Sequence, residues 1–156
     1  MSNKRYPKLY AVYYAQDDPK KNTIIKLSKY NMINITKRLR YLPRKTIILD
    51  PFSDKILNAN DKETIEQSGL AVIDCSWNKI DQVFNKKYRT GRRLPPLLAA
   101  NGVNYGRWNK LTSVEALAAA LIIIGNHKIA KDILSKFKWG LGFIDINYTS
   151  LRKYME

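Results

Sequence analysis

The segment LAVIDC, residues 70–75, is apolar at nearly every position and runs straight into the polar SWNK. A strand with one wet face alternates apolar and polar side chains. A strand that is apolar throughout is covered on both faces, as in a parallel sheet. Two earlier runs read the same way, LYAVYYA at 9–15 and TIILD at 46–50, and they too end in turn-like segments, AQDDPKKNT and PFSDK. Helical patterns lie between them. Ile24–Met32 is one, and Asp61–Gln67 is a second, with Asn60 as its N-cap and Glu63 three residues later. Lys79–Tyr88 is a third, with Ile80, Val83 and Phe84 on one face. Strands alternating with helices predict an α/β fold with a mostly parallel sheet.

Beyond Cys75 no strand is expected. Thr112–Ile124 opens with T-S-V-E, a capping box in which Glu115 reaches back to the N-cap amide. Two further helices, Lys128–Phe137 and Ile144–Tyr154, flank the glycines of WGLGF. The chain thus divides into a basic α/β lobe, residues 1–93, and a mainly helical lobe, residues 94–156, packed together with a ligand site between them.

Charge narrows the class of partner. The chain carries 28 Lys and Arg against 13 Asp and Glu, a net +15. Up to Arg93 there are 20 basic and 9 acidic residues; beyond it, 8 and 4. Arg38, Arg40, Arg44 and Lys45 form one cluster with Lys37. Lys86, Lys87 and Arg89 form another with Arg92 and Arg93. Tyr30, Tyr41 and Tyr88 stand among them, and cationic groups interleaved with aromatic rings suit nucleic acid. No apolar run is long enough to cross a membrane, and neither cluster adjoins an amphipathic anchor, so no membrane partner is expected. The N-terminus lacks the features of a signal peptide, which predicts a cytoplasmic protein. One cysteine, Cys75, and one histidine, His127, support neither a disulfide nor a metal site.

In an open parallel sheet, ligands bind beyond the carboxyl ends of the strands. Those ends carry Gln16–Thr23, Asp50–Pro51 and Asp74–Trp77. No G-x-x-x-x-G-K-[ST] or G-x-G-x-x-G sequence is present, which argues against an ATPase or a Rossmann dinucleotide site.

The segments DDPKKNT (17–23), LDPFSDKIL (49–57), IDCSW (73–77), RRLPPLLAANGVNYGR (92–107), KLTSVEALAAAL (110–121) and FKWGLGF (137–143) occur in this order. Together they resemble the small-subunit ribosomal RNA aminocarboxypropyltransferases of archaea and eukaryotes, a ribosome-biogenesis family. The resemblance spans nearly the whole chain. It implies a SPOUT-like fold with a deep trefoil knot, and S-adenosylmethionine as donor. It also implies transfer of the 3-amino-3-carboxypropyl group to a (methylated) pseudouridine in small-subunit RNA. The long 92–107 stretch would then form the knot and line the adenosine pocket. Four positions depart from the family's usual pattern: Asn22 and Ile24 stand for its cysteine and glycine, and Gly102 and Trp108 stand for prolines.

The resemblance places Thr23 on the donor's carboxylate, although Thr23 also suits an N-cap. Trp77 would cover the S-methyl group and face the sulfonium, or else fill the core. Ile73, Leu94, Asn109 and Ser113 match positions that hold adenosine, largely through backbone groups. Leu49 and Pro51 would line the adenine slot or simply close the sheet. Asp74 is the candidate base for the pseudouridine imide, with a helix cap over Lys79–Tyr88 as the alternative. Two rival functions remain: a SPOUT-type RNA methyltransferase using the same donor, and an assembly factor that binds small-subunit rRNA or a pre-ribosomal particle without catalysis. A monomer is expected, because the resembled family places its donor within one chain.

Overall fold

A computed structural model of the chain describes residues 7–13, 23–74 and 88–155. Five parallel strands form one sheet: β1 (Leu9–Tyr13), β2 (Asn34–Thr36), β3 (Ile47–Leu49), β4 (Leu70–Asp74) and β5 (Gly91–Arg92), in the order β2-β1-β4-β3-β5. Tyr13 pairs with Asp74, so the carboxyl ends of β1 and β4 lie side by side. Leu49 pairs with Val72 on one side and with Arg92 on the other.

The unbroken apolar character of the three central strands is explained by what covers them. Leu9, Ala11, Ile47, Leu49, Leu70 and Val72 point to one face and join the large core. Their neighbours Val12, Ile48, Ala71 and Ile73 point to the other and pack with Tyr10, Leu39, Leu42 and Tyr88. The period of two is intact, but both faces are dry.

Five helices are described: α1 (Thr23–Lys29), α2 (Lys62–Ser68), α3 (Ser113–Ile123), α4 (His127–Leu134) and α5 (Gly142–Arg152). The central one is α3. Its sequence SVEALAAALII has no polar stripe, and its residues are buried almost throughout, because it packs against β4, α1, α4 and α5 at once. Thr112 is its N-cap. The large core contains residues from Leu9 to Leu151, so sheet and helices share one interior.

Two expectations need correction. Strand β5 follows Cys75, where none was expected, and β2 was not foreseen either. Both are edge strands of two or three residues with little apolar content, too short to show a period. The start of α2 also differs from the Asn60–Glu63 box. Asn58 and Asp61 form the reciprocal pair instead: the Asn58 side chain accepts from the Asn60 amide (2.9 Å), and Asp61 accepts from the Asn58 amide (3.2 Å). A 3-10 turn, Ala59–Asp61, sits ahead of the helix, and Glu63 instead accepts from Gln67 (3.3 Å). The helix expected over Lys79–Tyr88 falls largely outside the described residues. So does Cys75.

Gly69 is required where it stands. It ends α2 at φ +96°, and a Cβ there would come within 2.6 Å of the Tyr10 ring and 2.9 Å of the Lys8 carbonyl. The turn from α2 into β4 therefore lies directly against β1.

Candidate active site

The topology marks one end of the sheet. The connection leaving β1 leads to β2 on one side, and the connection leaving β4 leads to β5 on the other. A crevice opens at the carboxyl ends where successive connections diverge. Ile73 and Asp74 lie on this edge at the end of β4, with Leu49 at the end of neighbouring β3.

Asp74 is tied to the helical half of the chain. The Ser113 hydroxyl, in the first turn of α3, donates to Asp74 Oδ1 at 2.8 Å. This bond brings Ile73, Asp74 and Ser113 together. Leu94 lies two residues past β5, half-buried against the core. Asn109 is fixed by its amide, which donates to the Leu97 carbonyl at 2.9 Å. Its φ of 58° is the left-handed conformation that asparagine tolerates better than most residues. Thr23 is the first residue of α1. Pro51 is exposed just beyond β3. Trp77 lies outside the described residues, as do Lys86 and Lys87.

The loop before α3 is fastened by two side chains that the sequence reading used little or not at all. Glu115 is fully buried. Its Oε1 accepts from the Thr112 amide (2.9 Å), the Thr112 hydroxyl (3.1 Å) and the Asn101 side-chain amide (2.8 Å), and its Oε2 accepts from the Ala100 amide (2.6 Å). The expected capping box is present, and the same carboxylate also holds the chain fifteen residues earlier. Asn147, buried in α5, accepts from the Leu98 amide (2.7 Å) and donates to the carbonyls of Leu98 (2.8 Å) and Phe143 (2.9 Å). An asparagine within an otherwise amphipathic helix was the available signal for Asn147. Only a known partner gives it meaning.

Asp50 is a further buried carboxylate at the end of β3. Burial raises its pKa above the ordinary aspartate value, while the Phe52 amide, donating at 2.9 Å, acts in the opposite direction. Gly91 permits its placement, since a Cβ there would stand 3.4 Å from Asp50 Oδ2 and 3.1 Å from the Tyr88 carbonyl.

One group of basic residues lies over the second face of the sheet. Leu39 and Leu42 pack beside Tyr88 on the second face of the sheet. They carry with them the exposed Arg38, Arg40, Arg44 and Lys45, while Arg89 follows Tyr88 and is exposed as well. The Arg40 guanidinium lies 5.4 Å from the centre of the Tyr41 ring. Arg92 does not belong to this set: its Nε meets Asp61 Oδ1 at 3.2 Å, and the pair is largely buried. Among the described residues, no three His, Cys, Asp or Glu side chains are grouped to hold a metal, and His127 is exposed at the start of α4.

Residues 47–156 match the family model described as ribosome biogenesis protein, C-terminal. The 16S rRNA aminocarboxypropyltransferase of Thermoplasma volcanium is 47% identical over 146 residues, covering 94% of this chain and 88% of that one. The chain belongs to the 16S rRNA aminocarboxypropyltransferase family. A second member, from Thermoplasma acidophilum, is 43% identical over 95% of this chain and 90% of its own. The solved SAM-dependent rRNA:acp-transferase Tsr3 of Vulcanisaeta distributa superimposes with a TM-score of 0.91 at 40% identity, over 96% of this chain and 83% of that one. In this aminocarboxypropyltransferase family member, Leu49, Ile73 and Asp74 share the carboxyl edge of the sheet.

Proposed function

We propose that the chain transfers the 3-amino-3-carboxypropyl group of S-adenosylmethionine to N3 of a (N1-methyl)pseudouridine in small-subunit rRNA, releasing 5′-methylthioadenosine. The observation that carries the reading is the likeness to the SAM-dependent rRNA:acp-transferase, which extends over 96% of the chain at 40% identity. The residues at the sheet edge fit such a donor. Leu49, Ile73 and Leu94 supply apolar walls, and backbone groups near Asn109 and Ser113 supply polar contacts. Asp74 offers a carboxylate where a cationic donor is expected. The reading includes a SPOUT-like fold with a deep trefoil knot. The parallel order β2-β1-β4-β3-β5 supports it, as does the return of residues 97–109 onto the start of α3.

When bound, the donor supplies a sulfonium whose carbon–sulfur bond to the aminocarboxypropyl chain breaks as the RNA nitrogen attacks that carbon. The protein's own part is positioning and proton transfer. Asp74 takes the imide proton, with Ser113 holding its carboxylate in place. Thr23 donates to the donor's carboxylate, Trp77 covers the S-methyl group, and Leu49 and Pro51 border the adenine. Arg38, Arg40, Arg44, Lys45, Lys86, Lys87 and Arg89 hold the RNA backbone. The site lies between lobes 1–93 and 94–156, which the Ser113–Asp74 bond joins. The protein works as a cytoplasmic monomer on small-subunit rRNA or a pre-ribosomal particle.

The deciding experiment incubates small-subunit RNA with donor labelled in the aminocarboxypropyl carbons and reads the RNA by mass spectrometry. Label in the RNA together with 5′-methylthioadenosine is the expected result. S-adenosylhomocysteine would instead show a methyltransferase, and a protein with no calorimetric response to the donor would be an RNA binder alone.

A further inference from the structure

The segment from Leu97 to Asn109 is a hairpin, fixed at its stem and apolar at its tip. In the stem, the Ala99 amide donates to the Arg107 carbonyl (2.9 Å) and the Gly106 amide to the Ala99 carbonyl (2.7 Å). Leu98 pairs antiparallel with Trp108. Asn147 holds Leu98 from α5, and Glu115 holds Ala100 and Asn101 from α3. At the turn, buried Asn101 accepts from the amides of Val103 (3.2 Å) and Asn104 (3.0 Å). Gly106 adopts φ +77°.

With its backbone held in this way, the hairpin nevertheless keeps large side chains in water. Val103 is 86% exposed, Tyr105 68% and Trp108 55%. None of the three belongs to either core cluster. Tryptophan is well buried on average, and a group of exposed large side chains on an ordered loop marks a surface made for contact. Arg107 lies between Tyr105 and Trp108 in sequence, exposed and without a partner side chain among the described residues.

We propose that the exposed side of this hairpin is a stacking platform for unpaired bases of the RNA acceptor, with Trp108 and Tyr105 against base faces and Arg107 on the adjoining phosphate. The inference rests on the RNA-directed reading above. Charge selects the occupant: an exposed arginine flanked in sequence by two exposed aromatic residues, on a protein of net charge +15, complements a polyanion that exposes flat bases. Location agrees. Trp108 precedes Ser113 by five residues, which places its backbone at most about 18 Å from the residue that holds Asp74. Duplex RNA buries its base faces in the stack, so the platform favours single-stranded loops over helices.

The test compares the full chain with Trp108→Ala, Tyr105→Ala and Trp108→Phe. The probes are a short uridine-rich single-stranded RNA and a blunt duplex of similar length, each titrated at several salt concentrations. Trp108→Ala is expected to weaken single-strand binding about ten-fold, with Tyr105→Ala acting in the same direction and Trp108→Phe retaining most of the affinity. Duplex affinity, the salt slope and the thermal midpoint are expected to stay as in the wild type. Wild-type single-strand affinity in both alanine variants overturns the proposal and leaves the patch to a protein neighbour. An equal loss on single strand and duplex overturns it too. Donor binding and methylthioadenosine release are measured separately on the wild type, so failure of the transferase reading is distinguishable from failure of the platform.

Discussion

The hydroxyl of Ser113 lies 2.8 Å from Asp74 Oδ1, joining the first turn of α3 to the end of β4. The bond gives Asp74 a task whether or not it takes a proton, and isosteric substitution separates the two. Asparagine at 74 still offers a carbonyl oxygen to Ser113 but is not a base. Asp74→Asn is expected to slow single-turnover transfer about 100-fold at saturating donor and RNA, with the thermal midpoint little changed. Full activity would leave positioning and the positive field as the sources of catalysis. Ser113→Ala keeps the base and loses the tether. It is expected to cost about 1 kcal/mol of stability and to reduce the rate less than Asp74→Asn does.

Glu115 presents the opposite situation, a carboxylate with four donors and no exposure to water. Both oxygens are in use as acceptors. In Glu115→Gln one of them becomes an NH2 group facing a donor, whichever way the amide turns. The expected loss is about 3 kcal/mol, seen as a fall of about 6–12 °C in the thermal midpoint. A fall of less than about 2 °C would show that the loop before α3 is held by other contacts.

The central strands were legible because burial on both faces leaves an unmistakable apolar run, and α3 because T-S-V-E states its cap in local sequence. Strands β2 and β5 were not, since two or three residues at a sheet edge owe their conformation to neighbours and not to pattern. The Asn58–Asp61 box was missed for a related reason. A 3-10 turn displaces the cap from the helix proper, and local spacing alone favoured Asn60. The site was legible largely through the family resemblance. Composition and periodicity indicate the strand ends, but nothing local tells Asn101, Glu115 or Asn147 which distant backbone groups they hold. Arg92 shows the converse error, because a basic residue counted in a cluster is spent on Asp61, 31 positions away.

Asp50 gives a stability prediction with a definite sign. Its folded-state pKa is raised by burial, so in the interval between its unfolded and folded values the native protein binds more protons than the unfolded chain. Stability from this group therefore falls as pH rises through the folded value, and the charged carboxylate weakens the fold at neutral pH. Asp50→Asn keeps an acceptor for the Phe52 amide and removes the charge. The variant is expected to melt above the wild type at pH 7, with the gap closing as pH falls through the raised folded value and gone by about 3.8, the ordinary aspartate value. A variant less stable than wild type at pH 7 would mean that the carboxylate has a charge-stabilising partner.

The arginines between β2 and β3 provide the last test. Arg38, Arg40 and Arg44 are exposed on the segment whose Leu39 and Leu42 pack beside Tyr88, and Arg89 lies next to that tyrosine. Residues far apart in sequence thus share one basic surface. Each phosphate contact releases counterions, so binding through this surface steepens the dependence of affinity on salt by about one unit per contact. Reversing all three to Glu is expected to weaken small-subunit RNA binding strongly at low salt and to flatten the slope by up to about three units. Calorimetric affinity for S-adenosylmethionine is expected to be unchanged, since these side chains lie on the segment between β2 and β3 and not at the carboxyl ends of β3 and β4. The stacking platform at Trp108 behaves in the opposite way, losing affinity at constant slope. The two sets of variants therefore divide RNA binding into an electrostatic part on one surface and a base-contacting part on another. If the triple reversal leaves both affinity and slope at their wild-type values, the arginine face is solvated surface and the RNA path runs elsewhere.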